Sequence, residues 1–189
     1  MNVADLMTRD VMFCTIHDSL NSAARIMWDH DCGGVPVVDD EKKLIGLVTD
    51  RDICMASYLQ GRPLAEIPIR LAMSPKVITC AATDNLAMVH RLMRVYEVHR
   101  IPVIDDGDRV AGIVSLSDIV NAARVDRATA SKNGSHASEI AATITAICRQ
   151  RVSAASNGAS PSAPDAVLAG AIARAPRAAK PSSRKRKSP

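Results

Sequence analysis

The stretch that decides the fold reads GLVTDRDI at residues 46–53 and returns as GIVSLSDI at residues 112–119, 66 positions later. Both copies place a glycine and two aliphatic residues before a hydroxyl residue, and an aspartate follows that hydroxyl three positions later. Sliding the sequence by 66 positions aligns residues 7–53 with 73–119 without a gap, and 15 of the 47 aligned pairs are identical. Self-similarity at a fixed period indicates a duplicated structural unit.

Each copy predicts the same order of elements, namely strand, helix, strand, strand, helix. Apolar residues at helical spacing follow the first strand, and two short apolar segments flanking an acidic turn then indicate a β-hairpin. A unit of about 50 residues buries too little apolar surface to be stable alone. We therefore expect an α/β (α+β) fold in which the copies pack face to face with pseudo-two-fold symmetry. The predicted strands are residues 11–15, 35–38, 44–49, 77–81, 101–104 and 110–115, and the second helices begin near Asp50, ending at Gly61, and near Leu116.

The positive charge of the chain is concentrated at its carboxyl end. Residues 150–189 carry eight Lys/Arg and one Asp, so that residues 1–149 have a net charge of −3 within a total of +4. Residues 152–189 are rich in Ala, Ser, Pro and basic residues, a composition that cannot bury enough apolar surface to become ordered. We predict a disordered basic tail there. An alternative function follows, in which the repeats form a dimerising scaffold and the tail binds nucleic acid or another polyanion.

The segment between the second copy and the tail, residues 125–151, is predicted to be a linker with an accessory helix. Residues 138–149 place Ile140, Ile144 and Ile147 on one helical face. Such a helix is suited to cover the repeats or the surface of a partner.

Several classes of protein are disfavoured by the sequence. No signal peptide or apolar run of membrane-spanning length is present, so we expect a cytoplasmic protein without membrane contact. The five cysteines are odd in number and lack metal-ligand spacing, which predicts reduced, buried thiols and no metal site. Redox sensing through the paired Cys14 and Cys80 stays open. No arrangement typical of nucleophilic catalysis occurs, so we expect no catalytic residues and no enzyme activity.

The repeated aspartate has two interpretations. The patterns of residues 49–52 and 115–118 match a capping box, in which a hydroxyl and a carboxylate satisfy the free amides of a helix start. The same helix start also favours anions, so that the hydroxyl would donate to a phosphate and the aspartate would accept from a ribose diol. Gly46 and Gly112 would then permit the close backbone approach that a ligand needs. Spacing alone favours the cap and leaves both interpretations open.

The motif set resembles a tandem pair of CBS domains, also called a Bateman module. The resemblance rests on the two signatures quoted above together with GVPVVDD (34–40) and RIPVIDD (100–106), which stand in register. The stretch VHRIPVIDDGDRVAGIVSLSDI (98–119) is also similar to a nucleotide-sensing repeat in the gamma subunit of AMP-activated protein kinase. The resemblance assigns residues 3–61 to the first repeat and residues 69–124 to the second.

The resemblance implies a non-enzymatic regulatory module that needs no cofactor and binds adenosine compounds such as AMP, ADP or ATP. It also implies a homodimer and a regulated protein that the sequence does not identify. Asp118 and Asp52 would hold the ribose diol, while Ser115 and Thr49 would face the phosphate.

Further ligand-binding residues follow from the same resemblance. His99 and Arg100 would contact the phosphates, and Ser117 would assist. Backbone groups near Val35 and Ile101 would frame the adenine. The first repeat departs from the pattern because Gly33-Gly34 replace His99-Arg100. Arg51 is the candidate that would compensate for this missing charge, so the two clefts are expected to be unequal.

Overall fold

The structure is a computed structural model that describes residues 1–128, 134–148 and 173–174. Both repeats show the predicted order of elements, which confirms the α/β (α+β) class. The first repeat consists of β1 (Cys14–Thr15), α1 (Leu20–Asp29), β2 (Gly34–Val38), β3 (Leu44–Thr49) and α2 (Asp50–Gln60). The second repeat consists of β4 (Ile78–Ala81), α3 (Leu86–Tyr96), β5 (Arg100–Ile104), β6 (Val110–Ser115) and α4 (Leu116–Ala128), and it is followed by α5 (Gly134–Ile147) and β7 (Ala173–Arg174).

Each repeat forms its own sheet around a central strand. In the first sheet β2 lies between a parallel β1 and an antiparallel β3, and β4, β5 and β6 repeat this arrangement in the second. β2 is buried along its whole length, which is the pattern of a strand covered on both faces. β7 extends the second sheet by pairing in parallel with β4. Apart from Ala173–Arg174, the predicted tail (152–189) lies outside the described residues.

The helix boundaries follow local sequence signals. Gly61 ends α2 in the left-handed conformation, with φ of 59°, as the sequence predicts for a glycine after the last turn. At the start of α3 the side chain of Asn85 accepts a hydrogen bond from the backbone N–H of Met88 at 2.9 Å. Each such bond satisfies one of the amides that a helix start leaves unpaired.

Five predicted elements have boundaries that differ from the structure. β2 and β5 begin one residue earlier than predicted, at Gly34 and Arg100, and β4 begins one residue later, at Ile78. The differences at β1 and α5 are larger. β1 covers Cys14–Thr15 and not residues 11–15, because its register with β2 includes only these two residues and Phe13 before them is exposed. The accessory helix begins at Gly134 rather than at residue 138. Its inward side carries Thr143 and Ile147, whereas Ile144 is 36% exposed.

The segment that leads into each repeat packs on the other repeat. The backbone N–H of Val3 donates to the carbonyl of Asp84 at 2.9 Å, and the side chain of Val3 belongs to the core of the second repeat. The equivalent residue of the second leading segment, Ile69, donates to the carbonyl of Asp18 at 2.9 Å and belongs to the core of the first repeat. Residues 1–8 and 67–74 are therefore exchanged between the repeats.

Isolated backbone bridges show that this exchange obeys a two-fold axis. When 66 is added to the residue number of one bridge partner and subtracted from that of the other, the resulting pair of residues also forms a bridge in the structure. Lys43 and Arg109, which are equivalent to each other, pair directly, so the axis passes between the two hairpin turns. The other bridges are Asn2–Asn85 with Ser19–Pro68, and Thr8–Ile113 with Leu47–Ser74.

The exchange also explains the repeated glycines. A Cβ on Gly112 would lie 2.8 Å from Sδ of Met7, and a Cβ on Gly46 would lie 2.7 Å from Sδ of Met73. Both glycines therefore accommodate a methionine of the exchanged segment. The expectation that they provide room for a ligand is wrong, because that space is already occupied.

Within residues 1–128 and 134–148, no helix combines the length and the apolar character that crossing a membrane requires. The largest fully buried side chains are almost all aliphatic, as the scarcity of aromatic residues predicts.

Candidate functional site

The two hydroxyl–aspartate patterns lie at the starts of α2 and α4 and form capping boxes. The backbone N–H and Oγ1 of Thr49 donate to Oδ2 of Asp52 at 2.8 and 2.7 Å, and the N–H of Asp52 donates to Oγ1 of Thr49 at 3.3 Å. The backbone N–H and Oγ of Ser115 donate to Oδ2 of Asp118 at 2.7 and 2.6 Å, and the N–H of Asp118 donates to Oγ of Ser115 at 3.3 Å. The cap interpretation is therefore confirmed in both repeats.

This geometry limits what each box can offer to a ligand. A hydroxyl group has one proton, and in both boxes that proton is directed at Oδ2 of the aspartate. Donation from Thr49 or Ser115 to a phosphate would require this internal bond to break. The bonds within each box reach Oδ2 and not Oδ1, so Oδ1 is the carboxylate oxygen on which a ligand contact would have to form.

Arg100 crosses from the second repeat onto the first. A Cβ on Gly33 would collide with Nη2 of Arg100 and would lie 3.0 Å from Oδ2 of Asp50, and a Cβ on Gly34 would lie 3.1 Å from Cδ of Arg100. The arginine side chain therefore lies in the space that the two missing side chains leave open. The glycine pair lacks a charge of its own, but it accommodates the charge of the other repeat.

Strand register places the same arginine at the second box. Arg100 faces Ser115 across β5 and β6, while Gly34 faces Thr49 across β2 and β3. The backbone of Arg100 thus lies beside the box of α4, and its side chain lies against the glycines opposite the box of α2. The structure brings together the two halves of the predicted site through this one residue.

The other predicted residues fall into two groups. His99, Ser117 and Arg51 have exposed side chains at the same end of the repeats, and the carbonyl of His99 accepts a hydrogen bond from the first amide of α4 at 2.9 Å. Val35 and Ile101 are 0% exposed. Their side chains belong to the cores, so only their backbone groups are placed to contact a ligand.

Asp50 is the residue near the site that the sequence reasoning missed. Its Oδ1 accepts a hydrogen bond from the backbone N–H of Arg51 at 2.7 Å, and its Oδ2 lies beside the space occupied by Arg100. The repeat alignment contained the signal, because Asp50 is equivalent to the apolar Leu116. The carboxylate of Asp50 therefore offsets part of the positive charge that Arg100 brings to the first repeat.

A third hydroxyl–aspartate box lies away from this site, between β1 and α1. The backbone N–H and Oγ1 of Thr15 donate to Oδ2 of Asp18 at 2.7 and 2.8 Å. Partial desolvation acts to raise the pKa of Asp18, but hydrogen bonds from Thr15, assisted by Ser22 and His17, hold it below its usual range. Asp18 borders a cleft of about 250 Å³ against the linker that follows α2, which none of the predicted ligand residues lines.

The equivalent cysteines of β1 and β4 lie in environments that disfavour the reactive thiolate form. Cys14 and Cys80 are buried, and burial, with a smaller contribution from the carboxylates of Asp18 and Asp84, raises the pKa of each thiol to about 12. Because the thiolate is the reactive form, this environment disfavours redox sensing at either residue. Among the described residues, no group of three or more His, Cys, Asp or Glu side chains is placed to hold a metal ion.

Comparison with known proteins agrees with this architecture. The CBS domain model matches residues 3–58 and 65–125. The uncharacterized protein YlbB of Bacillus subtilis is 35% identical over 118 residues, which are 62% of this chain and 78% of YlbB. The CBS domain-containing protein YhcV of the same organism is 33% identical over 118 residues, which are 62% of this chain and 82% of YhcV.

Solved structures show the same paired arrangement. The CBS domain pair of protein MJ0100, in complex with 5-methylthioadenosine and S-adenosyl-L-methionine, has a TM-score of 0.59 and 30% identity, over 65% of this chain and 98% of that one. The CBS-domain containing protein ATU1752 of Agrobacterium tumefaciens has a TM-score of 0.59 and 29% identity, over 65% and 99% of the two chains. The resemblance to a tandem pair is therefore confirmed, and this chain belongs to the CBS domain family.

Proposed function

We propose that this chain is a non-enzymatic regulatory module that binds an adenine nucleotide, AMP, ADP or ATP, in the clefts between its two repeats. The observation that carries the proposal is the position of Arg100, which connects the helix start of α4 with the glycine pair beside the helix start of α2. Two helix starts and one guanidinium at the same place favour an anionic group.

The aspartates complete the proposed site. Oδ2 of Asp52 and of Asp118 accepts the internal hydrogen bonds of each box, and Oδ1 is proposed to accept from a ribose hydroxyl. Carboxylate oxygens accept more than one hydrogen bond, so an aspartate can cap its helix and hold a sugar at the same time. His99, Ser117 and Arg51 are proposed to lie beside the phosphates.

The relatives support an adenosine-containing ligand, and the charges of this chain favour a phosphorylated one. The MJ0100 pair is described in complex with 5-methylthioadenosine and S-adenosyl-L-methionine, which share an adenosine and carry no phosphate. A guanidinium at the site favours an anion over the positively charged sulfonium. Because Asp50 lies near Arg100 on the first repeat, the cleft of Asp118 is proposed to bind the nucleotide more tightly than the cleft of Asp52.

Thermal unfolding of the full chain with AMP, ADP, ATP, NADH and S-adenosylmethionine tests the proposal. A ligand at 100 times its Kd stabilises the folded state by about 2.7 kcal/mol, which raises the midpoint by about 5–10 °C for a domain of this size. We expect this increase for at least one adenine nucleotide. Asp118→Ala should remove most of it, and Arg100→Gln should weaken the phosphorylated ligands selectively.

Asp18→Ala is the matched control, because it removes the same kind of box outside the proposed site. Each variant is compared with its own ligand-free midpoint, so that loss of a helix cap is not mistaken for loss of binding. Asp18→Ala should keep the full ligand-induced increase. The proposal fails if no compound on the panel shifts the wild-type midpoint. An unchanged increase in both Asp52→Ala and Asp118→Ala would show that the ligand binds elsewhere.

A further inference from the structure

β4 is twice as long as its equivalent in the first repeat, and the difference lies at its outer edge. β1 pairs with β2 through two residues only, and β4 pairs with β5 through the equivalent two, residues 80–81. The two additional residues of β4, Ile78 and Thr79, pair instead with Ala173 and Arg174 of β7. The tail of the chain therefore supplies the partner that extends β4.

The two repeats also differ in the exposure of these edge positions. In the first repeat β1 is the outer strand of its sheet, and Met12 and Phe13 before it are 48% and 38% exposed. Their equivalents are Ile78 and Thr79, and Thr79 is 0% exposed. An outer strand presents unpaired N–H and C=O groups on which an extended segment can form a further strand. In the part of the chain that the structure describes, this occurs in the second repeat and not in the first.

β7 lies in the most apolar part of the tail. Residues 166–175, which we call the tail segment, read AVLAGAIARA and include no proline, serine or acidic residue. The tail segment contains three of the four Val, Leu and Ile residues of the predicted tail (152–189), and Pro176 follows it. Because proline cannot donate a hydrogen bond to a neighbouring strand, Pro176 marks a natural end for an added strand.

The direction of β7 leads the chain toward the acidic hairpin turns. β7 is parallel to β4, and β4 is parallel to β5, so all three strands run toward the turn that follows β5. This turn and its equivalent, residues 105–109 and 39–43, carry six carboxylates and three basic side chains, and they meet at the bridge between Lys43 and Arg109. Residues 175–189 carry six Lys/Arg and no acidic residue. The charges of the turns and of the end of the tail are therefore complementary.

We propose that the outer edge of β4 binds the tail segment of the same chain as an added strand, and that this places the basic residues of 177–187 against the acidic hairpin turns. Backbone hydrogen bonds hold the segment, as in other complexes formed by strand addition, and opposite charges favour the position of the residues that follow it. The contact does not involve the boxes of Asp52 and Asp118, so this inference goes beyond the proposed nucleotide binding. It also assigns the basic tail a binding site within its own chain.

Hydrogen–deuterium exchange of the full chain, measured by mass spectrometry on peptides that cover residues 76–81, tests the proposal. Successive N–H groups of a strand point to opposite sides, so one of Ala173 and Arg174 directs its N–H toward β4. The strand variant carries both Ala173→Pro and Arg174→Pro and therefore removes that donor. The amides of residues 76–81 should exchange about 10-fold faster in the strand variant than in the wild type, as expected when a strand edge opens locally.

Arg177→Pro combined with Ala178→Pro is the matched control, because it removes the same charge and introduces the same two prolines outside the tail segment. This control should leave the exchange of residues 76–81 close to that of the wild type. Peptides that cover residues 10–15, at the uncovered edge of the first repeat, should not change in either variant and show that the repeats stay folded. Equal exchange of residues 76–81 in the wild type and the strand variant would overturn the proposal.

Salt and protein concentration test the other two parts of the proposal. Raising NaCl from about 50 mM to about 500 mM screens exposed charges, so it should accelerate the exchange of residues 76–81 in the wild type and not in the strand variant. Exchange that salt does not change would refute the contact with the hairpin turns. Exchange should be the same at about 1 µM and about 50 µM chain, because an intramolecular contact does not depend on concentration. Slower exchange at the higher concentration would show that a second copy supplies the strand and would refute binding within one chain.

Discussion

An aspartate three residues after a hydroxyl residue performs the same local task at three places in this chain. In each box Oδ2 of the aspartate accepts hydrogen bonds from a backbone N–H and from a hydroxyl, as it does at Asp18, Asp52 and Asp118. The motif alone therefore does not distinguish a cap from a ligand contact. What distinguishes Asp52 and Asp118 is their neighbourhood, since both boxes lie at the strand ends that Arg100 connects.

The box of Asp18 predicts a dependence of stability on acid. Its pKa is lower in the folded state than the ordinary value of 3.8, so its contribution is fully present above that value and is lost as the pH falls through the folded pKa. Asp18→Asn should lower the free energy of unfolding by about 1 kcal/mol at neutral pH. Urea unfolding at about pH 7 and about pH 3 should show a smaller difference from the wild type in acid. An equal difference at both pH values would contradict this assignment.

At the scale of the elements, the sequence predicts boundaries that an element's own residues define, but not contacts between residues that are distant in the chain. β3 and β6 match their predicted bounds, because alternating burial and a hairpin turn define a strand from its own residues. The inward side of α5 was predicted from three isoleucines, but the structure buries Thr143 in place of Ile144. The partner of Thr143, His90, lies 53 residues away, and no local pattern indicates a polar contact over that distance.

Thr143 provides a test of how α5 is held. Its Oγ1 donates to the carbonyl of Glu139 at 2.8 Å and therefore accepts from Nδ1 of His90. Thr143→Val should lower the free energy of unfolding by about 1–3 kcal/mol, because a buried donor loses its acceptor. Thr145→Val is the control, since Thr145 makes the same bond within the helix, to Ala141, but is exposed. Urea denaturation should show a change within about 0.5 kcal/mol for that control, and equal effects would refute the role of His90.

At the scale of the whole molecule, the sequence repeat predicts two-fold symmetry but not the exchange of the leading segments. Residues 1–8 and 67–74 carry no local sign of which repeat they contact, because their partners are set only when the copies pack. The same reason explains why the position of Arg100 on Gly33 and Gly34 could not be predicted. An alignment of equivalent residues identifies a missing charge in one repeat, but it does not show that the other repeat supplies it.

Matched glycine substitutions test the exchange. A Cβ on Gly112 would lie 2.8 Å from the backbone carbonyl oxygen of Thr8, whereas the close contacts of a Cβ on Gly46 are side-chain atoms of Met73. Gly112→Ala should therefore lower the free energy of unfolding by about 1–3 kcal/mol, and Gly46→Ala by less than about 1 kcal/mol, since a methionine side chain can move. Chemical denaturation of the two variants measures these changes in the free energy of unfolding. A Gly46→Ala variant as unstable as Gly112→Ala would argue against a rigid contact with Thr8.

The exchange of leading segments also sets the order in which the two repeats can be completed as the chain is synthesised. The first half of the molecule is closed by residues 67–74, which leave the ribosome directly after the elements they cover. The second half is closed by residues 1–8, which are synthesised before their partners Asp84 and Ile113 and can pack only after these have emerged. A truncation that removes residues 1–8 would therefore remove backbone and core contacts from the second repeat, which is distant in sequence, and not from the first repeat, which is adjacent to them.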